Sequence, residues 1–315
     1  MTIDLAQLSL ADYGRDTIAA GSKSFALASR VLSPAVRDDA TMLYAYCRFA
    51  DDLVDGQLMG HGQVEDYRDG QAERVAELRA TTLRALSGET IGEPHYDALE
   101  EVVRRHVMPH RYVMELVDGF QMDADLRHYA TLEDTLDYGY HVAGVVGVMM
   151  AWIMGVRDGS TLDRASDLGI AFQLTNIARD VVDDARAGRV FVPSEMLLRH
   201  GAPVGAAGLA EPSAWPAAHR AALELLDVAE TYYASARQGV RELGFRDGWA
   251  ILTALRVYRE IGEKVRRMGP DAWAGRASTS TGRKLALATG ALGGAAMRRT
   301  VRPAVRPSLY ARPSA

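Results

Sequence analysis

Residues 173–189 read QLTNIARDVVDDARAGR. Gln173, Asn176, Asp180 and Asp184 recur at spacings of three and four. On a helix they share one face, with apolar neighbours on both sides. The segment lacks the alternation that suits a strand, and its helical rhythm runs back to residue 161. The stretch is therefore read as the end of a long helix. It sets two amides and two carboxylates in a row where a core stripe is expected.

The same periodicity governs the rest of the 315-residue chain, and no strand pattern competes with it. It predicts helices over 34–54, 70–86, 96–107, 110–125, 132–155, 161–187, 216–242, 246–268 and 281–298. Breaks fall at runs of Gly, Pro and small polar residues, such as GQLMGHGQ from Gly56 and GPDAWAGRASTSTG from Gly269. No break is long enough to demand a domain boundary, and no period of 20–50 residues repeats. We expect one all-α domain over 1–300 and a basic, flexible tail over 301–315. After Asp271 the chain has no acid and eight Arg or Lys residues. That tail reads as a solvated terminus or as a weak contact with an anionic membrane surface.

A formal net charge of −5 argues against a nucleic-acid partner. The single cysteine, Cys47, excludes an internal disulfide framework and fits a reducing compartment. No basic region precedes an apolar run near Met1, so we expect no secretory leader. The most apolar stretch, Val142–Val156, has 15 residues, short of the ~20 needed to span a bilayer. The expectation is a cytoplasmic protein, at most peripherally membrane-associated. The sequence sets no oligomeric state.

A second acidic cluster answers the first. In YAYCRFADDLVD, Asp51 and Asp55 are four apart, with Asp52 beside them and Arg48 one turn upstream. Asp180, Asp183 and Asp184 have Arg179 adjacent. Like charges at this spacing destabilise a helix by about 0.2–0.5 kcal/mol per pair in water, and by more in a dry cavity. A lone acidic triplet is usually a solvated face. Two of them, each with an arginine and each inside an otherwise apolar helix, need an offsetting cation. Mg²⁺ or Mn²⁺ takes oxygen ligands, and Mg²⁺ is commonly held by one or two carboxylates plus substrate phosphates. Asn176, Asp180 and Asp184 form such a ladder of oxygens. Leu53 and Val181 occupy positions where a calcium loop needs oxygen ligands. The two clusters are read as two walls of one cavity that holds metal ions against a diphosphate.

Around them, GSKSF (Gly21 to Phe25) offers two hydroxyls and a lysine for phosphate oxygens, or simply a helix cap. DYGYHVAGVVGVMMAWIMG carries Ala143, Gly144 and Gly147. These permit close helix approach or leave room for a long apolar ligand beside adaptable methionines. His141 reads as a satisfied core histidine. No zinc-protease, dinucleotide-binding or P-loop motif occurs.

GSKSFALASR, MLYAYCRFADDLVD, YHVAGVVGVMM and FQLTNIARDVVDDARAGRVFVP, with VYREIG from Val257, resemble the squalene/phytoene synthase family, and within it the bacterial phytoene synthases. The resemblance runs from about Gly21 to about Trp273. It implies an all-α isoprenoid-synthase bundle around a central cavity, and head-to-head condensation of two prenyl diphosphates. The closeness of the resemblance favours geranylgeranyl diphosphate as the substrate and implies phytoene as the product, in the first committed step of carotenoid biosynthesis. It also implies roles: Asp51, Asp55, Asp180 and Asp184 as metal ligands with Asn176, and Gln173 facing metals and substrate. Arg48 and Arg179 correspond to diphosphate-contacting arginines, Ser22, Ser24 and Phe25 to an N-terminal flap, and Tyr44, Tyr138 and Tyr258 to cavity tyrosines. The sequence departs at Phe49 and Ala50, where a more polar pair is expected, and at Tyr46, where bacterial relatives often have tryptophan. These departures bear on the cavity's shape. A C15-using relative that makes presqualene diphosphate, dehydrosqualene or squalene, a non-catalytic lipid-binding subunit, and a metal-dependent helical hydrolase are the other readings.

Overall fold

The computed structural model describes residues 9–56, 68–275, 277–300, 302 and 304–313, and among them there are helices and no strands. The helices are α1 (Leu10–Gly21), α2 (Lys23–Ser29), α3 (Pro34–Asp55), α4 (Gln71–Leu86), α5 (Pro94–His106), α6 (His110–Ala124), α7 (Leu132–Gly139), α8 (Val145–Ile153), α9 (Gly159–Arg186), α10 (Ser194–Arg199), α11 (Ala206–Ala210), α12 (Trp215–Gly239), α13 (Phe245–Met268) and α14 (Thr281–Ala296). The all-α expectation holds.

The 28-residue α9 organises the bundle and is flanked by α7, α8, α12 and α13. Asp158 caps its start by accepting from the Thr161 amide at 2.9 Å. Its N-terminal half meets α8 and the turn before it at backbone distance. A Cβ added at Gly169 would lie 2.1 Å from the Ala143 carbonyl oxygen, and one at Gly147 2.3 Å from that of Ala165. The small residues of this region therefore serve close approach. Ala143, Gly147 and Gly169 also border the cavity.

Helices α1, α2, α10 and α11 lie outside the sequence-based ranges, and one predicted helix is interrupted. The predicted helix over 132–155 is broken by a π-helical turn, Tyr140–Gly144, which inserts a step between α7 and α8. Tyr138 faces the cavity, while the buried Tyr140 lies outside its lining and its hydroxyl donates to Glu115. The segment around GSKSF is helical: Ser22 ends α1 and caps α2, its hydroxyl accepting from the Phe25 amide at 3.3 Å.

The basic terminus is not the free tail that its composition predicts. Arg306 forms a two-pronged ion pair with Asp167 of α9 at 2.9 and 2.6 Å, and Arg312 donates to Asp163 at 2.6 Å. The Tyr310 hydroxyl donates to Asp137 at 2.6 Å. The Asp167 side chain has no exposed surface, so a buried charge that needs a partner overrides the entropy of a loose end.

Candidate active site

A cavity of about 380 Å³ runs between α3, α6, α8, α9 and α13. One face of α9 lines it from end to end, through Thr161, Arg164, Ala165, Leu168, Phe172, Gln173 and Asn176. From Ala165 to Asn176 the lining turns from apolar to polar along that face. At the polar end it meets Arg48 and Asp51 of α3, Asp123 of α6 and Tyr138 of α7. The sequence-predicted Phe25, Tyr44, Arg48, Asp51, Tyr138, Gln173, Asn176 and Tyr258 all border this one cavity. Asp55, Asp180, Asp184 and Arg179 continue the same two helices beyond its lining.

The helices deliver their carboxylates at a costly place. Asp51, Asp52 and Asp55 fall in the last five residues of α3, Asp123 is next to last in α6, and Asp183 and Asp184 lie in the last turn of α9. Aligned peptide dipoles leave about half a negative charge at a helix C-terminus, which disfavours an acid there and favours a cation. Arg189, just past α9, pairs with Asp55 of α3 at 3.1 Å and lies within the field of Asp51, Asp123 and Asp184. The three elements therefore share one electrostatic site.

Burial raises the Asp51 carboxyl to about 6, with the Asp55 and Asp52 charges adding to the shift and Arg48 opposing it. The Asp51 side chain keeps 45% of its surface, but that surface opens on a cavity mouth ringed by protein. Burial likewise raises Asp123, to about 7, and holds Asp184 well above the usual carboxylate range with help from Asp180. Arg48 donates to Asp51 at 2.8 Å and Arg179 to Asp180 at 2.7 Å. Each arginine thus neutralises part of its own cluster when nothing else does.

These residues suit divalent cations. The Asn176 amide oxygen is buried, borders the cavity and has no hydrogen-bond partner. Among the described residues, no three carboxylate, imidazole or thiol groups converge on one point. A hard cation here would take one or two carboxylates and complete its shell with water or phosphate oxygens, the mode typical of Mg²⁺.

Behind the polar end stands an aromatic wall. Phe172 stacks on Tyr258 with ring centroids 4.1 Å apart, and Phe25 stacks on Tyr258 at 5.5 Å and meets Tyr44 edge-on at 6.3 Å. The Tyr138 hydroxyl donates to Asp123 at 3.1 Å. Burial keeps Tyr138 a neutral phenol and raises Tyr258 to about 12. Ser22 and Ser24 do not border the cavity among the described residues, and the Ser22 hydroxyl is occupied as a cap.

Sequence reasoning missed Asp123, Arg189 and Phe172. Asp123 follows Leu116 and Phe120 on one helical face, a carboxylate on an apolar stripe, which was the available signal. The departures at Tyr46, Phe49 and Ala50 leave the cavity lining untouched. Tyr46 is fully buried with its hydroxyl 2.8 Å from that of Thr82, and Phe49 stacks on His95.

A profile of the squalene/phytoene synthase family matches residues 18–283. The 15-cis-phytoene synthase of a Paracoccus species is 51% identical over 272 residues, 86% of this chain and 87% of that protein. That of Pantoea ananas is 45% identical, covering 97% of this chain and 98% of its own. Among solved structures, a dehydrosqualene synthase in complex with a ligand superposes with a TM-score of 0.78 at 28% identity, over 90% of this chain and 95% of that one.

Proposed function

The chain belongs to the squalene/phytoene synthase family, and from that premise we infer that it is a prenyltransferase making phytoene. Two geranylgeranyl diphosphates are joined head to head, through prephytoene diphosphate, with release of two diphosphates. The observation that carries this reading is the junction of three acid-bearing helix ends with one apolar cavity. Diphosphate chemistry belongs at the first and a long prenyl chain in the second.

Asp51 and Asp55 on one wall, and Asn176, Asp180 and Asp184 on the other, are the proposed ligands of Mg²⁺ or Mn²⁺. Such ions, when bound, supply Lewis-acid stabilisation to a departing diphosphate. Arg48 and Arg179 exchange their carboxylate partners for phosphate oxygens as substrate and metal arrive. Gln173 orients the same end, and the α2 segment with Ser22, Ser24 and Phe25 closes over it. Loss of the first diphosphate leaves an allylic cation, and the 2,3 double bond of the second substrate attacks it. Proton loss then closes a cyclopropane that keeps the second diphosphate. Ionisation of that intermediate, rearrangement to a 1–1′ bond and a second proton loss give the triene.

The faces of Phe25, Tyr44, Tyr138, Phe172 and Tyr258 stabilise passing cations, each by about 0.5–2 kcal/mol. The apolar wall beyond them excludes water that would quench a cation. A neutral Tyr138 tied to Asp123 keeps its ring fixed against the polar end.

No helix among the described residues is long and apolar enough to cross a membrane. For a substrate and product of this kind we propose peripheral contact through α14, where Leu285 and Leu292 are exposed on one face near Arg283 and Lys284. Arg306 and Arg312 are engaged in ion pairs, so the basic charge available to an anionic surface is smaller than composition implies.

The test is a product assay with purified protein and Mg²⁺ or Mn²⁺, offering C15 and C20 diphosphates separately, with and without NADPH. A C40 triene from the C20 substrate, indifferent to NADPH, is the expected result. A C30 product would move the assignment to the C15-using relatives. No hydrocarbon from either would leave the lipid-binding subunit.

A further inference from the structure

We propose that Arg164 is the stop at the deep end of the cavity and limits the length of prenyl chain that the site accepts. The inference rests on the prenyltransferase reading above and concerns the end of the cavity farthest from the chemistry. Arg164 and Asn176 border the cavity on the same face of α9, and at 1.5 Å per residue they stand about 18 Å apart. Between them the lining on α9 is Ala165, Leu168, Gly169, Phe172 and Gln173, with no charged side chain. A chain anchored by its diphosphate at the polar end therefore runs along this face toward Arg164.

That guanidinium is fixed. It donates to the Ser235 carbonyl at 3.2 Å, to the Ser235 hydroxyl at 3.4 Å, and to the carbonyl of Ala304. Its stem is held as well, because a Cβ added at Gly239 would lie 2.9 Å from the Cβ of Arg164. The Ser235 hydroxyl in turn donates to Asp167, whose carboxylate is clamped by Arg306. The C-terminal strap and α12 thus hold the stop from two sides. An apolar chain end that pushed past it would strip three acceptors from a cation and offer none in return, so the limit is chemical as well as steric. The charge sits at the end opposite the site where cations form, and so does not disturb them.

The experiment is a competition. The intact protein with Mg²⁺ receives equal C20 and C25 prenyl diphosphates, and hydrocarbon products are resolved by mass. The variants are Arg164→Ala, Arg164→Met and Arg164→Lys. Arg164→Met keeps the stem against Gly239 but gives up the hydrogen bonds. The expected result is that Arg164→Ala raises the share of C25-derived product at least about tenfold over wild type. Arg164→Met should move it in the same direction, while Arg164→Lys stays near wild type. A purely structural role would lower total turnover or thermal stability without moving the ratio. A ratio within twofold of wild type in whichever of the Ala and Met variants folds, or an equal shift in Arg164→Lys, overturns the stop. Wild-type protein that yields no C40 hydrocarbon from the C20 substrate alone faults the assigned reaction instead.

Discussion

Asp51, Asp123 and Asp184 have carboxyl groups that burial keeps protonated to higher pH than an exposed aspartate. Without metal, the folded chain therefore holds more protons than the unfolded chain between the ordinary value of 3.8 and about 7. Stability falls as pH rises through that window, since the unfolded state binds fewer protons there. Replacing Asp123 by Asn removes one contributor. Its melting temperature should match wild type near pH 4 and exceed it by a few degrees near pH 8, as thermal unfolding in chelator across that range would show. A constant offset would mean that the Asp123 carboxyl titrates normally. At the same scale, Asp51→Ala and Asp180→Ala should each lower kcat by at least about 10³-fold with the helical circular dichroism unchanged. Near-normal turnover in either variant would remove that residue from the metal site. Asp51 and Asp180 were legible because each has a carboxylate four residues on and an arginine beside it. Asp123 has no such companion in its helix, and its partners arrive only through folding.

The ends of α3, α6 and α9 each place an acid against the negative pole of the helix, and that is a property of elements rather than of residues. Periodicity and caps made these helices readable to within a few residues, because burial of an amphipathic stripe decides them. The π-turn at Tyr140–Gly144 was not readable. It adds a residue to one turn without changing composition, and only the packing of α7 and α8 against α9 selects it. That packing hinges on the crossing at Gly169. A methyl group there would overlap the Ala143 carbonyl, which is backbone and has no rotamer to give. Gly169→Ala should destabilise by about 1–3 kcal/mol and lower turnover, because the π-turn at Ala143 must move away from α9. Equilibrium unfolding in urea with an unchanged midpoint would show that the crossing is looser than this geometry.

At the scale of the whole molecule, the chain gathers its costly groups at two places and offsets each by a long-range partner. At the cavity mouth, Arg189 reaches back 134 residues to Asp55. Behind α9, Arg306 reaches back 139 residues to Asp167. Neither pairing can be read from local spacing, which is why a tail with eight basic residues reads as solvated when it is in part a strap. The second pair allows a clean separation of charge from contact. Arg306→Ala takes the cation from the Asp167 carboxylate, which has no exposed surface in the folded chain, and an unpaired buried charge costs about 3–5 kcal/mol. Asp167→Asn in the same background removes the charge but keeps an oxygen for the Ser235 hydroxyl. The double variant should therefore recover most of the stability lost by the single one, with coupling well above 1 kcal/mol in a double-mutant cycle. If the losses simply added, the strap would act through its contacts at Tyr310 and Arg312, and the Asp167 charge would be met by solvent instead.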